Sequence, residues 1–312
     1  MANLWYIQVN RHCNNACHFC SNPNNWQNIS YEKWIELIDE FVKNNYAWVI
    51  FTWWEPTLSP DLTRWIKYAK QKWIWCRIIS NGMMCANYSY TKRLADSWLE
   101  LAHFSIYSCY EKVHDFLTDT PWSWLKLIKS ITNALKCGIR VQINTVINHY
   151  NEEHLDKTTQ FIVKHFPQIK HFVWNNLDPE MMRKTDIALT TLPDFDNFKS
   201  SLNKAITFLE ATNRSFRVEK MPLCYIRWYE WASTETRKII KNEERIIYFL
   251  DFREQIRETD FYHEKLSECE KCDLNTICSW IYEHKKFFDY VKVYPQKVSK
   301  EEIEKIILKV KS

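Results

Sequence analysis

The strongest constraint on this chain is a strand–helix alternation running through its first 174 residues. Short runs rich in apolar and β-branched residues at 4–9, 49–52, 76–80, 104–108, 140–146 and 171–174 have the length and composition of strands. Between them, 30–44, 61–72, 90–101, 124–137 and 152–165 carry apolar residues at helical spacing. In the first of these Ser30 can cap a helix whose apolar face is Trp34, Ile35, Leu37, Ile38, Phe41 and Val42. Strands separated by helices run parallel, which makes the chain α/β. Six units fall short of the eight that close a barrel. A last amphipathic helix is expected over 193–212. Residues 243–265 then turn charged without a clear period, which points to a second module, and 299–311 read as a charged, solvated helix.

The eleven cysteines fall into groups. Cys13, Cys17 and Cys20 are spaced C-x3-C-x2-C on a polar loop after the first strand. Cys224, Cys269, Cys272 and Cys278 form a late set, C-x2-C-x5-C with one distant partner. No export signal or membrane-spanning run is evident, so a cytoplasmic location with reduced thiols is expected, and metal ligation is favoured over disulfides. Three thiolates on one loop can converge on an iron–sulfur cluster and leave one iron without a protein ligand. A structural zinc or iron–sulfur site completed from elsewhere is the alternative, and the late set of four suits zinc or a fully ligated 4Fe–4S cluster equally. Cys76, Cys85, Cys109 and Cys137 read as small buried hydrophobes. The near-balanced charge, 42 basic against 38 acidic residues, argues neither for nor against nucleic acid, and no nucleic-acid partner is indicated.

The composition has one anomaly. The chain holds two glycines and sixteen tryptophans, where about 22 glycines would be usual at ~7%. Trp48, Trp73, Trp75 and Trp122 stand beside strands or in turns, where backbone logic asks for glycine. The expectation is a gene in which UGA encodes glycine, with Gly82 and Gly138 using ordinary glycine codons.

The cysteine triplet with Phe19 before its last member resembles the signature of the radical S-adenosylmethionine superfamily. One helix and one strand later, Phe51-Thr52-Trp53-Trp54-Glu55-Pro56 becomes F-T-G-G-E-P when its tryptophans are read as glycine, and resembles that family's second motif. The resemblance implies an open (β/α)6 partial TIM-like barrel with ligands at the C-terminal strand ends. It implies a 4Fe–4S cluster on Cys13, Cys17 and Cys20 whose open iron is chelated by S-adenosylmethionine, with Phe19 near the adenine and Trp53, Trp54 and Glu55 facing the amino group. Ser80-Asn81-Gly82 resembles the turn after the third strand, and Ser105 and Asn144 match positions that bind the carboxylate and ribose. His114-Asp115 resembles a pair in peptide-modifying members, without the arginine that usually follows. The late cysteines resemble a SPASM or twitch auxiliary-cluster module, which implies a second 4Fe–4S cluster on Cys224, Cys269, Cys272 and Cys278.

The implied organisation is a barrel over 1–215, an auxiliary module over 216–290 and a terminal helix over 291–312. The implied activity is reductive cleavage of S-adenosylmethionine to a 5′-deoxyadenosyl radical that abstracts hydrogen, supplied with electrons by a ferredoxin or flavodoxin. The substrate expected is a peptide or protein. A small-molecule enzyme like the molybdenum-cofactor cyclase is the second reading, although this chain ends in Lys-Val-Lys-Ser rather than a double glycine. A non-catalytic iron–sulfur electron carrier is the reading from a different class.

Overall fold

The computed structural model describes all residues except 1–3, 21–25, 53, 180–181, 183–184, 264, 281–283 and 289–290. All six expected strands form: β1 (Leu4–Gln8), β2 (Trp48–Thr52), β3 (Trp75–Ser80), β4 (Leu101–Ser105), β5 (Arg140–Ile147) and β6 (His171–Asn176). Helices α1 (Tyr31–Lys43), α2 (Leu62–Gln71), α3 (Tyr88–Asp96), α4 (Glu111–Thr118), α5 (Ser123–Lys136) and α6 (Leu155–His165) connect them. After β6 come α7 (Asp186–Leu189), α8 (Phe195–Ala211), β7 (Ser215–Glu219), α9 (Thr234–Lys241), β8 (Arg245–Tyr248), β9 (Gln255–Glu258), α10 (His284–Phe287) and α11 (Lys300–Lys311).

The sheet is larger than six strands. Its order is β7-β6-β5-β4-β3-β2-β1-β8-β9, parallel throughout except for the antiparallel β8–β9 pair. The edge strands β7 and β9 do not pair with each other, so the barrel is open. Residues 243–265, expected in a separate module, supply β8 and β9 to this sheet. Their period was hidden because charged residues face each other across the pair, Arg245 opposite Glu258 in register and in ion-pair contact. The terminal helix α11 is likewise less solvated than its charge implied, since Ile306 and Val310 are buried and Arg227 bridges Glu230 and Glu302.

Alternation along the strands creates two environments. Trp5, Ile7, Val49, Phe51, Cys76, Ile78, Phe104, Val141, Ile143, Phe172 and Phe216 point outward into a continuous core with helical residues such as Trp34, Leu37, Ile38, Phe41, Trp65 and Ile66. The intervening residues point into the barrel and are largely polar. α1 shows the local logic: the Ser30 side chain accepts from the Lys33 N–H at 3.1 Å, a cap worth about 1 kcal/mol, and of the predicted stripe Trp34, Leu37, Ile38 and Phe41 are buried, Ile35 is half-buried and Val42 is exposed.

Six helices end alike. A residue at positive φ follows the helix, and the next N–H donates to the carbonyl five residues back, the Schellman closure. The left-handed position is Asn45 after α1, Trp73 after α2, Trp98 after α3, Gly138 after α5, Asn213 after α8 and Asn242 after α9. The closing bonds are Tyr46 to Phe41, Ile74 to Ala69, Leu99 to Leu94, Ile139 to Ala134, Arg214 to Leu209 and Glu243 to Lys238, at 2.9–3.2 Å. Because Trp98 carries no stop signal in sequence, the helix expected over 90–101 overran this turn, and β4 starts earlier than expected. Trp122 is also at positive φ, whereas Trp48 and Trp75 are not; those two lie at the starts of β2 and β3 and stack at 5.9 Å.

Candidate active site

The chain leaves β1, makes the cysteine loop and returns through a bridge between Asn10 and Asn28. The base is pinned by Arg11 N–H to Gln27 O at 2.7 Å and Ile29 N–H to Val9 O at 3.0 Å. The loop's far side rests on the C-terminus of α4, where Ala16 and His18 donate to the carbonyls of Thr118 and Leu117 at 3.0 and 3.1 Å. Helix-terminal carbonyls lack partners within their own helix, so the loop satisfies α4 while α4 positions the loop.

Cys13, Cys17 and Cys20 all face a cavity of about 500 Å³ inside the barrel. Burial, and then the neighbouring Glu55 carboxylate, push the Cys13 thiol up to about 12. The Asn15 N–H and the Asn81 side-chain amide each approach its sulfur at 3.4 Å. Such donors favour a thiolate, and a thiol that binds metal gives up its proton.

Glu55 is fully buried and is not among the cavity-lining residues. One carboxylate oxygen accepts from Thr57 N–H at 3.0 Å, from the Thr57 hydroxyl and from the Ser80 hydroxyl at 2.8 Å. The other accepts from Asn81 N–H at 2.7 Å. Burial raises its pKa while these donors pull it down. The geometry makes Glu55 a brace between the β2 and β3 loops, with three donors on one oxygen and one on the other. Ser80 and Asn81 are held by it and by their own turn: Gly82 N–H donates to Ser80 Oγ at 3.0 Å and Met83 N–H to Asn81 Oδ1 at 2.9 Å. Gly82 has φ +82°, and a Cβ there would lie 2.8 Å from Leu127.

Phe19, Trp54, Ser80, Asn81, Ser105 and Asn144 line the same cavity as the three thiols. Phe19 meets Tyr107 edge-on at 4.8 Å. Ser105 and Asn144 are register partners on β4 and β5, and Asn144 accepts from the Asn175 amide at 2.5 Å. Trp54 has φ +52°, and the Arg11 guanidinium stands 4.8 Å from its ring centre. Trp53 lies outside the described residues. His114 and Asp115 have structural work: Tyr107 N–H donates to His114 Nδ1 at 3.2 Å, and Asp115 caps α5 by accepting from Trp122 N–H, Trp124 N–H and the Ser123 hydroxyl.

Cys224, Cys269, Cys272 and Cys278 surround a second, much smaller cavity with Lys265, Trp280 and Tyr294. Burial pushes Cys224 up to about 12 and raises Cys269 and Cys278. Leu223 N–H reaches Cys278 Sγ at 3.5 Å and Gln296 N–H reaches Cys272 Sγ at 3.3 Å. Trp280 is buried at φ +71°. Among the described residues, no three His, Cys, Asp or Glu stand close enough together for a single metal ion.

The family model described as the Radical SAM superfamily matches residues 7–162, half of the chain. The chain belongs to the Radical SAM superfamily. It is 24% and 26% identical to the AdoMet-dependent heme synthases of Oleidesulfovibrio alaskensis and Nitratidesulfovibrio vulgaris over 148 residues, 46% of this chain. That match spans 38% and 40% of those relatives. Streptococcus suis SuiB bound to S-adenosylmethionine superposes with a TM-score of 0.66 at 16% identity, over 89% of this chain and 72% of that one. The anSMEcpe structure with bound AdoMet and the Kp18Cys peptide gives 0.66 at 13% identity, over 99% of both chains. These likenesses establish the open partial barrel. No helix among the described residues is long and apolar enough to cross a membrane.

Sequence reasoning overlooked the polar residues that alternate inward along β3 to β7, among them Arg77, His103, Gln142, His171, Asn175 and Arg217. Their signal was available as polar residues at every second position of parallel strands, where two buried faces would read as continuous apolar runs.

Proposed function

We propose that Cys13, Cys17 and Cys20 hold a 4Fe–4S cluster with one iron left for S-adenosylmethionine, and that the enzyme acts on a peptide or protein substrate. The observation that supports this best is the facing of all three thiols onto the cavity that Phe19, Ser80, Asn81, Ser105 and Asn144 also line. The donor set fits: three sulfurs on one pinned loop, with N–H groups aimed at Cys13. When bound, the cluster supplies an electron that splits S-adenosylmethionine into methionine and a 5′-deoxyadenosyl radical, which takes a hydrogen atom from the substrate. A ferredoxin or flavodoxin is the electron donor. Within this reading Ser105 and Asn144 offer hydrogen bonds to the bound ligand, Phe19 offers an aromatic face, and Glu55 keeps the β2 and β3 loops in place.

Cys224, Cys269, Cys272 and Cys278 are the ligands of a second, fully ligated 4Fe–4S cluster in this proposal, as in a SPASM or twitch module. Four thiols around one cavity, two of them receiving backbone N–H groups, support it. The peptide assignment draws on SuiB bound to its precursor peptide SuiA and on anSMEcpe with a peptide, which share this fold.

The reading includes glycine at a subset of the tryptophans. Among the described residues seven of them, Trp26, Trp54, Trp73, Trp98, Trp122, Trp228 and Trp280, have φ between +52° and +78°. Left-handed backbone costs a bulky residue about 1–2 kcal/mol each. Trp73 and Trp98 fill the Schellman position that Gly138 and three asparagines fill elsewhere, and both glycines of the chain are themselves at positive φ. Trp54 and Trp280 each place an indole against one of the two thiol cavities. Trp5, Trp34 and Trp65 are the opposite case, fully buried in ordinary strand or helix backbone, and are read as true tryptophans.

The test is anaerobic reconstitution with iron and sulfide, addition of S-adenosylmethionine and a strong reductant, and quantification of 5′-deoxyadenosine. It is run for the printed sequence and for Trp53→Gly/Trp54→Gly. Product from the glycine form alone supports both readings, and product from both forms supports the radical enzyme but not the glycine reading; no product from either, with clusters fully loaded, overturns the radical enzyme in favour of an electron carrier.

A further inference from the structure

The barrel cavity carries cationic groups that the cluster and S-adenosylmethionine do not explain. It is lined by Arg77, Arg217, Lys220, Arg237, Lys238 and Arg245, against the acids Asp178, Glu219, Glu243 and Glu244. Several are matched: Lys220 pairs with Asp178 at 2.8 Å, Arg237 with Glu243 at 2.6 Å, Arg245 with Glu258, and Glu244 with Arg257 at 3.1 Å. Arg77 and Arg217 are different. Among the described residues neither has a carboxylate within 4 Å; Arg217 donates only to the Trp231 carbonyl at 3.3 Å, and the Nε of Arg77 is buried without a hydrogen-bond partner. Glu219 is the acid whose charge both arginines feel, and Glu243 acts on Arg217 as well, but among the described residues neither carboxylate reaches either of these two guanidinium groups within ion-pair distance.

His103 adds an independent observation. Only 8% exposed, it lines this cavity and its Nε2 is buried without a partner. In register it sits beside Gln142, with His171 next along the sheet, one pleat from the Ser105–Asn144 pair that continues to Val173 and Arg217. Burial and the nearby arginines keep both histidines neutral, so each can donate one N–H without adding charge.

Leaving guanidinium groups in a half-buried cavity without a carboxylate in direct contact costs free energy, and a planar guanidinium fork matches a carboxylate in two parallel hydrogen bonds. We propose that Arg77 and Arg217, with His103 as a neutral donor, form the specificity site for a carboxylate of the substrate. That anchor would hold an adjacent C–H in the cavity onto which Cys13, Cys17 and Cys20 open. It rests on the proposed radical reaction at that cavity. The carboxylate can come from an acidic side chain of a peptide or from a small polycarboxylic acid; the recognition chemistry is shared.

The test uses the anaerobic, cluster-loaded protein with S-adenosylmethionine bound, titrated calorimetrically with two acids and their amides: the glutamate peptide Ac-Ala-Glu-Ala-NH2 against its glutamine counterpart, and tricarballylate against its triamide. The expected result is at least tenfold tighter binding of one acid over its amide, falling at least tenfold in Arg77→Gln/Arg217→Gln. The reductant-driven background formation of 5′-deoxyadenosine should persist in that variant, which shows that it folds. Preference for the peptide acid identifies an acidic peptide, and preference for tricarballylate a small polyacid. Equal binding of acids and amides, or selective binding unchanged in the variant, overturns the inference. Selective carboxylate binding without any 5′-deoxyadenosine would leave the anchor standing and remove the radical reading instead.

Discussion

The two cysteine sites differ in what surrounds them. The N-terminal three stand on a loop pinned at its base and against α4, and they look into a cavity of about 500 Å³ lined by polar side chains from eight strands, β1 to β8. The C-terminal four enclose a small cavity of their own among Trp280, Tyr294 and Val293. Ligand number and room go together. On the proposed reading, three thiols beside a large polar space leave room for a reacting molecule, and four thiols around a small, mostly apolar pocket suit a cluster that stores or passes an electron.

The largest expected effects separate the sites by function. Replacing Cys13, Cys17 or Cys20 with alanine should abolish 5′-deoxyadenosine formation and remove about four irons per chain, with the second cluster's signal retained. Cys278→Ala should lose a similar amount of iron from the other site yet keep reductive cleavage of S-adenosylmethionine, because among the described residues none lines both that pocket and the barrel cavity. Iron content, electron paramagnetic resonance and product assay on both variants decide it. Cleavage lost equally in both would merge the two sites into one functional unit.

Indoles sharpen the comparison, since each site has one at positive φ. Trp54→Gly should raise 5′-deoxyadenosine yield, and Trp280→Gly should raise iron loading at the four-cysteine site, each by relieving strain and freeing space. Among exposed positions, Trp73→Gly should stabilise the fold by about 1 kcal/mol. Trp34→Ala, which empties a buried site in α1, should destabilise by about 3–5 kcal/mol. Chemical denaturation of the single variants reads these signs directly. A destabilising Trp73→Gly would mean that the turn is adapted to tryptophan.

How much of this was legible follows from which residues speak locally. The six strands and the Ser30 cap could be read because apolar spacing and a capping hydroxyl act within a few residues. β8 and β9 could not, because Arg245 and Glu258 obtain their meaning from each other across the sheet. The end of α3 was missed because Trp98 occupies a left-handed position without announcing it. The four late cysteines could be grouped by spacing alone, yet nothing in sequence said that Glu55 would spend its carboxylate on Thr57, Ser80 and Asn81. Arg77 and Arg217, 140 residues apart, become neighbours of one cavity only through the register of the folded sheet.

The smallest expected effect is a difference in acid sensitivity. His114 is buried in α4, its Nδ1 accepts from Tyr107 N–H, and burial lowers its pKa from 6.5 to about 4. Because the folded value lies below the unfolded one, the unfolded state binds the extra proton first. The stabilisation is complete above about pH 6.5 and is lost as pH falls through about 4, at most about 3 kcal/mol in total. That loss falls on the helix whose last carbonyls hold the three-cysteine loop, and among the described residues the four-cysteine pocket has no contact of this kind with α4. Between pH 7 and pH 5 a chelator should therefore strip iron from the N-terminal site several-fold faster than from the other. His114→Asn, which keeps an acceptor but cannot take up the proton, should shrink that difference. Equal acceleration at both sites in the unaltered protein, or an unchanged gap in the variant, would show that acid acts on the thiolates themselves and not through α4.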